Sequence, residues 1–264
     1  MTSDPKALHV LSTKEPNADD RTSLPRPWGP LAKRLFDLAI SAVLLVLLLP
    51  LIVLLAAAIK LDSRGPVLYR CRRVGFQGSA LNMLKFRKMI DGATGPALTV
   101  YDDARFTRMG RFLSSTKLDE LPQLWNVIKG EMSLVGPRPE DPGFVALHPA
   151  EYDQILQVKP GITGLCQLAF IHEARVLASD DRMEAYVESL LPQKVQLDLL
   201  YASRRTLTMD LRILLWTAVA VVLRRDVAVR RDTGRLSVRR RPEAAETAGT
   251  EMSDLAEVTV SERA

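Results

Sequence analysis

An uncharged apolar stretch from Leu38 to Ile59, LAISAVLLVLLLPLIVLLAAAI, constrains this chain more than any other feature. As a helix rising about 1.5 Å per residue, its 22 residues reach across the roughly 30 Å of hydrocarbon in a bilayer. We therefore expect the stretch to lie in a membrane, either as a helix that crosses it or as one that enters and returns.

Two features favour the returning, re-entrant arrangement. Pro50 lies near the middle of the stretch, removes a backbone donor and predicts a bend or break in the helix. Both flanks are basic, with Lys33 and Arg34 before the stretch and Lys60, Arg64, Arg70, Arg72 and Arg73 after it. Lysine and arginine favour the cytoplasmic side, so a hairpin that dips into the inner leaflet keeps both clusters there, whereas a spanning helix would place one outside.

The chain divides into four parts by composition. Residues 1–30 are polar, carry five prolines and have no apolar centre like that of a signal peptide, which predicts a disordered lead. Residues 31–62 form the membrane helix, and 63–223 a compact domain of helices with a few strands. Residues 224–264 form a charged, disordered tail. The predicted fold class is an α-rich α+β protein: a re-entrant membrane helix hairpin and a compact cytoplasmic domain with amphipathic interfacial helices.

Several local patterns fill in this domain. PVLYRCRRVG and LNMLKFRKM predict short strands or a hairpin, with turn signals at Gly75 and Gly78. The region from Glu184 to Tyr201 is helical in character, and Pro192 marks a boundary inside it. A second apolar run, Ile213 to Leu223, has 11 residues and is too short to span a membrane. It fits an interfacial helix and a buried core helix equally well.

Charge and cysteine content exclude little. A formal net charge of +5 suits nucleic acid, an anionic membrane surface or phosphorylated substrates. The arginine-rich segment from Arg224 to Arg241 has no interleaved aromatic residues, so we expect no nucleic-acid partner; lipid contact or a solvated tail remains. Cys71 and Cys166 lack metal-ligand spacing and indicate a reducing compartment.

The stretch LSSTKLDELPQLWNVIKGEMSLVGPRPE, from Leu113 to Glu140, carries the chemistry. Leu121 to Lys129 has helical periodicity with Pro122 in the first turn and Gly130 at the stop. Asp119 and Glu120 therefore stand at a helix N-terminus, where backbone N–H groups favour anions. Acidic capping is the ordinary explanation of such a pair.

The surrounding cations favour a catalytic explanation. GPRP, from Gly136 to Pro139, holds Arg138 in a stiff turn, and KPGITG, from Lys159 to Gly164, is a second rigid turn. The cations that precede the acidic pair are Lys85, Arg87, Lys88, Arg105, Arg108 and Arg111. Together these groups predict a shallow pocket for a polyphosphate. A carboxylate there can attack phosphorus, with Mg²⁺ bound to one or two carboxylates and to substrate oxygens. His148 and His172 lack a nucleophile partner, so serine or cysteine hydrolase chemistry is not expected.

Six ordered blocks resemble the bacterial sugar transferases, the polyprenyl-phosphate sugar-1-phosphate transferases that are also called monotopic phosphoglycosyl transferases. The blocks are KRLFDLAISAVLLVLLLPLIVLLAAAIKLDSRGPVLY, KFRKM, DDARFTRMGRFL, LDELPQLWNVIKGEMSLVGPRPE, KPGITGLCQL and LDLLYASRRTLTMDLRILLWT. The resemblance covers about Leu31 to Leu223. It implies a re-entrant helix broken at Pro50 and an active site at the cytoplasmic face of the inner membrane. It also implies transfer of a sugar-1-phosphate from a UDP-sugar to undecaprenyl phosphate, with release of UMP, in polysaccharide or glycoconjugate synthesis.

The resemblance also implies roles for individual residues. Asp119 corresponds to a nucleophile that forms a covalent phosphosugar, and Glu120 to its partner in holding Mg²⁺ or moving protons. Arg138 corresponds to a phosphate or nucleotide contact, and the further candidate substrate-binding residues are Lys85, Arg87, Arg111 and Lys117.

Two positions depart from the family pattern. Ser114 stands where a basic residue is usual, and Lys117 is the nearby candidate to compensate. Leu49, not serine, precedes Pro50.

Two questions stay open at this level. A membrane-anchored scaffold without catalysis would also explain the apolar anchor and the arginine-rich end, although not the acidic pair beside GPRP. The motifs do not select a sugar, so glucose, galactose and amino sugars all fit, and they leave the glycoconjugate pathway and the oligomeric state undecided.

Overall fold

The computed structural model describes residues 29–95, 103–171 and 182–238. The helices are α1 (Pro30–Asp62), α2 (Arg108–Thr116), α3 (Gln123–Lys129), α4 (Pro142–Val145), α5 (Pro149–Ile155), α6 (Leu165–Ala169), α7 (Arg182–Ala185), α8 (Leu191–Arg204) and α9 (Leu207–Val222). The strands are β1 (Leu68–Val74), β2 (Ala80–Phe86), β3 (Ser133–Val135), β4 (Gly161–Thr163), β5 (Val227–Val229) and β6 (Leu236–Val238). This part of the chain is helix-rich, with strands paired two by two, in agreement with the predicted α+β class. The predicted N-terminal lead lies outside it, apart from its last two residues.

Helix α1 is long and apolar enough to cross a membrane, and it is the one such helix in the described ranges. Its 33 residues extend about 50 Å if straight. Large apolar side chains project into the surroundings, among them Val46, Leu47 and Leu54, which are 72%, 68% and 66% exposed. In water such a surface would be strongly unfavourable, so it is suited to contact with lipid.

Pro50 does not divide this helix. The helical backbone continues from Pro30 to Asp62 with the proline inside it, so the predicted break into two helices is not observed. The ring deprives the carbonyl of Val46 of its usual donor, but a single missing bond leaves the rest of the hydrogen-bond ladder intact. The structure shows one helix here and does not show a re-entrant hairpin.

Both ends of α1 contact the rest of the fold. At the N-terminal end, Asp37 is buried and accepts a hydrogen bond from the Ser133 hydroxyl at 2.8 Å. At the C-terminal end, Ile59 is 2% exposed and packs with Phe86 and Leu113, while Asp62 accepts from an amide at the start of α2. The helix is thus fastened to one domain at both of its ends.

Strands β1 and β2 form the antiparallel hairpin expected from their patterns. The register pairs Leu68 with Phe86 and Val74 with Ala80. A short 3₁₀ turn joins the strands, and Gln77 adopts a left-handed conformation there, with φ 52°. Alternate side chains of β2, such as Leu81 and Met83, enter the core, so Lys85 also points inward at the end of the strand.

The predicted charged tail begins with ordered structure. Strands β5 and β6 form an antiparallel hairpin in which Val227 pairs with Val238. Val227 is 4% exposed and belongs to the main core, and Leu236 packs against that core. The compact domain therefore extends past the predicted boundary at Leu223, because two alternating strands in the arginine-rich segment supply apolar side chains that cover α6 and α9. Residues 239–264 lie outside the described part.

Helix α9 contains nearly all of the second apolar run. Part of the run is buried, as in a core helix, and part is exposed, as in an interfacial helix. Ile213 and Ala220 are buried in the core, whereas Leu215 and Val222 are 64% and 75% exposed. One stripe is therefore a core face, and the other is an apolar surface available to a membrane. The Pro192 boundary is also confirmed: Pro192 lies in the first turn of α8, and a π turn over Tyr186–Leu190 connects it to α7.

Candidate active site

The acidic pair lies in a tight turn between two helices. Helix α2 ends at Lys117, which adopts the left-handed conformation with φ 61°, and a 3₁₀ turn over Leu118–Glu120 follows. Pro122 then stands directly before α3, and Gly130 ends that helix with φ 83°, as the sequence predicted. The turn buries Asp119, which is 3% exposed, and leaves Glu120 partly open. The predicted helix start at Leu121 is two residues early because the first turn is 3₁₀.

Two lysines from one strand end face the acidic pair. Lys85 Nζ lies 2.9 Å from Glu120 Oε1, a hydrogen-bonded ion pair. Lys88 Nζ lies 3.8 Å from Asp119 Oδ2. Each carboxylate therefore has a nearby cation, supplied by the KFRK segment at the end of β2.

The two carboxyl groups differ in their pKa. Burial raises the pKa of Asp119 above its ordinary value, although Lys85 and Lys88 oppose the change. Burial also disfavours ionisation of Glu120, but Lys85 and Arg138 outweigh it and lower the pKa of this carboxyl to about 2. Glu120 is thus held as a carboxylate, while Asp119 is the more basic of the pair. Divergent pKa values in adjacent carboxyl groups are typical of sites where the two have different roles.

The two glycine-bearing turns interlock beside the acidic pair. Gly136 N–H donates to the Thr163 carbonyl at 2.9 Å, and Gly161 N–H donates to the Pro137 carbonyl at 2.8 Å. A Cβ atom on Gly136 would lie 2.4 Å from the Lys159 carbonyl oxygen, and one on Gly161 would lie 2.1 Å from Gly136 N. Only glycine allows the backbones to approach so closely, and this contact holds the GPRP turn in place.

A shallow surface cleft lies between these elements. Its lining is formed by Met83, Lys85, Glu120, Gln123, Arg138, Pro139, Gly161, Ile162 and Gln167. The Arg138 side chain is 34% exposed, so its guanidinium is available from the cleft. A cleft with two cations and a carboxylate is suited to a phosphorylated ligand that also binds a metal ion.

The structure brings together most of the predicted site residues. Lys85, Glu120 and Arg138 line the cleft, and Asp119 lies just behind it. Lys117 interacts electrostatically with Glu120 and Arg138 from the preceding turn. Seven residues, 131–137, separate Gly130 at the end of α3 from Arg138, and they include β3, which pairs with β4 and so places the GPRP and KPGITG turns side by side.

Two predicted site residues lie elsewhere. Arg87 is buried and donates hydrogen bonds to the backbone carbonyls of Arg64 and Ser63, so it fastens the segment after α1 rather than a substrate. Arg87 follows Phe86, the last residue of β2, so the alternation of side chains along that strand does not set its direction. Arg111 is exposed on α2 and does not line the cleft.

Three contributors were not selected as site residues from the sequence. Lys88 was only one of several basic residues there; its signal was its spacing of three from Lys85. Gln123 is 2% exposed with an unpartnered Nε2, and Gln167 has a buried, unpartnered Oε1; both line the cleft. Glutamine is uncharged, whereas the catalytic and substrate-binding residues predicted from the sequence were all charged, so nothing in that prediction pointed to Gln123 or Gln167.

Comparison with known proteins identifies the family of the chain. The model of the bacterial sugar transferase family matches residues 28–224, which include the acidic pair, both turns and all of α1 to α9. The chain belongs to the bacterial sugar transferase family.

Curated relatives match this chain over about 200 residues. An undecaprenyl-phosphate glucose phosphotransferase of Komagataeibacter xylinus is 43% identical over 202 residues, covering 72% of this chain and 36% of its own length. A UDP-glucose:undecaprenyl-phosphate glucose-1-phosphate transferase of Caulobacter vibrioides is 39% identical over 205 residues, covering 75% and 73%. An exopolysaccharide production protein, PSS, of Rhizobium leguminosarum bv. phaseoli is 38% identical over 202 residues, covering 73% and 96%.

The matched regions cover only part of one relative and end before the last hairpin of this chain. The chain spans little more than a third of the length of the Komagataeibacter relative. The family match also ends at Arg224, so the β5–β6 hairpin lies beyond the shared region.

The carboxylates of the site are suited to one mode of Mg²⁺ binding, in which the protein supplies only some of the ligands. No group of three or more potential metal-ligating side chains occurs among the residues described. Asp119 and Glu120 offer two adjacent carboxylates, and Mg²⁺ is commonly bound by one or two carboxylates together with substrate phosphates and water. The two carboxylates therefore fit a metal ion whose remaining ligands would come from a phosphorylated substrate and water.

Proposed function

We propose that this chain transfers a sugar-1-phosphate from a UDP-sugar to undecaprenyl phosphate, giving a lipid-linked diphosphosugar and UMP. The observation that carries the proposal is the buried Asp119 beside an ionised Glu120, at a cleft lined by Lys85 and Arg138. The two relatives whose names specify glucose make UDP-glucose the first donor to test. A scaffold without catalysis would have no use for a buried Asp119 next to a second carboxyl group, both facing lysines, since burial of such a carboxyl group is destabilising unless it serves a function.

In the proposed reaction, Asp119 is the nucleophile. Its carboxylate oxygen attacks the phosphorus that carries the sugar, forming an aspartyl–phosphate bond as the bond to UMP breaks. A phosphate oxygen of undecaprenyl phosphate then attacks the same phosphorus, releasing the diphosphosugar lipid and restoring the aspartate. The higher pKa of Asp119 makes it the better nucleophile of the two carboxylates once ionised, since nucleophilicity rises with basicity.

The other residues bind and orient the substrate in this proposal. Arg138 and Lys85 hold phosphate oxygens, and Lys117 supplies the positive charge that Ser114 lacks. Mg²⁺ held by Asp119 and Glu120 would neutralise charge on the diphosphate. Glu120 remains ionised at every physiological pH, which suits a ligand for a cation.

We also propose that α1 is re-entrant and that the cleft faces the cytoplasm at the inner membrane. The support is the attachment of both helix ends to one domain: Arg34 Nη1 donates to the Val127 carbonyl at 2.5 Å, and Asp62 accepts from Met109 N–H at 3.1 Å. A straight spanning helix would carry these ends to opposite faces of the bilayer. Single cysteines placed at the exposed position Arg64 and before α1, in a variant without Cys71 and Cys166, should both react with a reagent that cannot cross the membrane, and from the cytoplasmic side only.

The transferase proposal is tested by release of UMP from UDP-glucose in nanodiscs containing undecaprenyl phosphate and Mg²⁺. Asp119→Asn should abolish release while keeping the protein folded, and Asp153→Asn, at an exposed aspartate on α5, is the matched control. Quenching the reaction with UDP-sugar labelled in the sugar should leave label on the peptide that contains Asp119. Full activity of Asp119→Asn would contradict the nucleophile assignment, and a wild-type protein inactive with every UDP-sugar would contradict the function.

A further inference from the structure

Helix α8 presents two buried charged residues to the back of the GPRP turn. Lys194 and Asp198 lie one helical turn apart and are 2% and 1% exposed. Asp198 Oδ2 accepts a hydrogen bond from the backbone N–H of Arg138 at 3.3 Å. Lys194 Nζ lies 3.5 Å from Glu140 Oε1, the residue directly after the turn. Helix α8 thus contacts both the backbone of the GPRP turn and the residue that directly follows it.

Glu140 is shared between two cations. The same oxygen, Oε1, lies 3.6 Å from Arg138 Nε and 3.5 Å from Lys194 Nζ. The Glu140 and Lys194 side chains are 6% and 3% exposed, whereas that of Arg138 is 34% exposed and lines the cleft. Charges interact strongly at such distances in a partly dry environment, so each cation weakens the hold of Glu140 on the other.

We propose that Lys194 is a positioning residue for substrate binding, which acts by neutralising Glu140 from behind and so leaves the charge of Arg138 available to a phosphate group in the cleft. The inference rests on the proposed function, since it assigns a role to the phosphate contact of that site. Without Lys194, Arg138 would carry more of the compensation of the buried Glu140 carboxylate. Its guanidinium would then be drawn back from the cleft, and its field at the phosphate would be reduced.

The loop is also held by contacts other than this ion pair. Asp198 binds the Arg138 backbone, and the glycine contacts with β4 fix the other side of the turn. Loss of Lys194 should therefore change the electrostatics at Arg138 more than the path of the backbone. A purely structural role for Lys194 would predict the opposite: less folded protein with an unchanged KM.

The test is a set of variants in nanodiscs. In Lys194→Met, the KM for UDP-glucose should rise about tenfold while kcat stays within about twofold, because ground-state phosphate binding is lost. In Lys194→Met/Glu140→Gln, the buried carboxylate is gone too, and the KM should return to within about twofold of wild type. Tyr186→Phe is the control, since the Tyr186 hydroxyl accepts a hydrogen bond from Lys194 at 2.9 Å but carries no charge; its KM should not change.

A binding measurement separates this inference from the proposed function. Calorimetric titration of the same proteins with UDP should show weaker binding to Lys194→Met and recovery in the double variant. If wild type binds UDP in this pattern but releases no UMP with any UDP-sugar, the proposed function fails and the positioning role stands. Equal UDP affinity of wild type and Lys194→Met, absence of recovery in the double variant, or no UDP binding by wild type would each overturn the inference.

Discussion

The Lys85–Glu120 ion pair should contribute measurably to stability, and its size follows from the structure. Lowering the pKa of Glu120 from its ordinary value of 4.5 to about 2 corresponds to roughly 3 kcal/mol, at about 1.4 kcal/mol for each tenfold change in ionisation. The Glu120 side chain is 22% exposed, so solvent screens part of this effect, and we take about 2–3 kcal/mol as the contribution of the surrounding cations. Lys85 is the nearest of them, at 2.9 Å.

Replacing Lys85 with methionine keeps the aliphatic volume and removes the charge. At pH 7 the free energy of unfolding should fall by about 2 kcal/mol or more, which lowers the Tm by roughly 4–8 °C for a domain of this size. Because the folded-state pKa of Glu120 is depressed, the wild-type stabilisation is present above pH 4.5 and is lost as the pH falls through about 2. In Lys85→Met the pKa of Glu120 moves upward, so its carboxyl group takes up a proton at a higher pH. Protonation then removes the energetic cost of a carboxylate that has lost its nearest cation.

The assay is thermal unfolding in nanodiscs, followed by tryptophan fluorescence at pH 7 and pH 4. The difference in Tm between wild type and Lys85→Met should be large at pH 7 and smaller at pH 4. Lys129→Met is the matched control, because Lys129 pairs with Glu131 but its side chain is 49% exposed, and an exposed pair contributes about 1 kcal/mol or less. The reasoning would be refuted if Lys85→Met had the same Tm as wild type at pH 7, or if the difference in Tm between the two proteins were equal at pH 7 and pH 4.

Three further predictions test other parts of the site and fold. Lys88→Met should raise the pKa of Asp119 further, so the acidic limb of the kcat/KM profile for UMP release should move to higher pH; an unchanged limb would show that Asp119 does not set it. Gly136→Ala should leave little folded protein in a gel-filtration assay, because its Cβ would lie 2.4 Å from the Lys159 carbonyl oxygen, whereas a fully active variant would contradict the interlocked turns. Leu113→Ala, at a side chain that is 0% exposed, should reduce the free energy of unfolding by about 2–5 kcal/mol, and a Tm equal to wild type would exclude a packed core there.

Local patterns in the sequence predicted much of what surrounds the site. The apolar stretch predicted α1, alternation with glycine turns predicted the β1–β2 hairpin, and Pro122 and Gly130 bracketed α3 to within two residues. Each of these signals acts through the backbone within a few residues, so it can be recognised without knowledge of the fold.

Other features depended on contacts between distant segments. Arg87 and Lys85 are both basic and two positions apart, but only packing against the end of α1 shows that Arg87 binds carbonyl oxygens there. The β5–β6 hairpin was hidden by its arginines, because its stability comes from a few apolar side chains that cover α6 and α9.

The amino-acid sequence by itself determined that this chain has a helix long and apolar enough to cross a membrane, that an acidic pair stands before a proline-started helix, and that two rigid turns carry cations near it. These properties follow from hydrophobicity, backbone restriction and charge, which belong to each residue. Tertiary structure alone decided which cations face which carboxyl group, that Glu140 is shared by Arg138 and Lys194, and that both ends of α1 are held by one domain. Coulomb and packing energies depend on distances between atoms, and those distances are set when segments far apart in the chain meet.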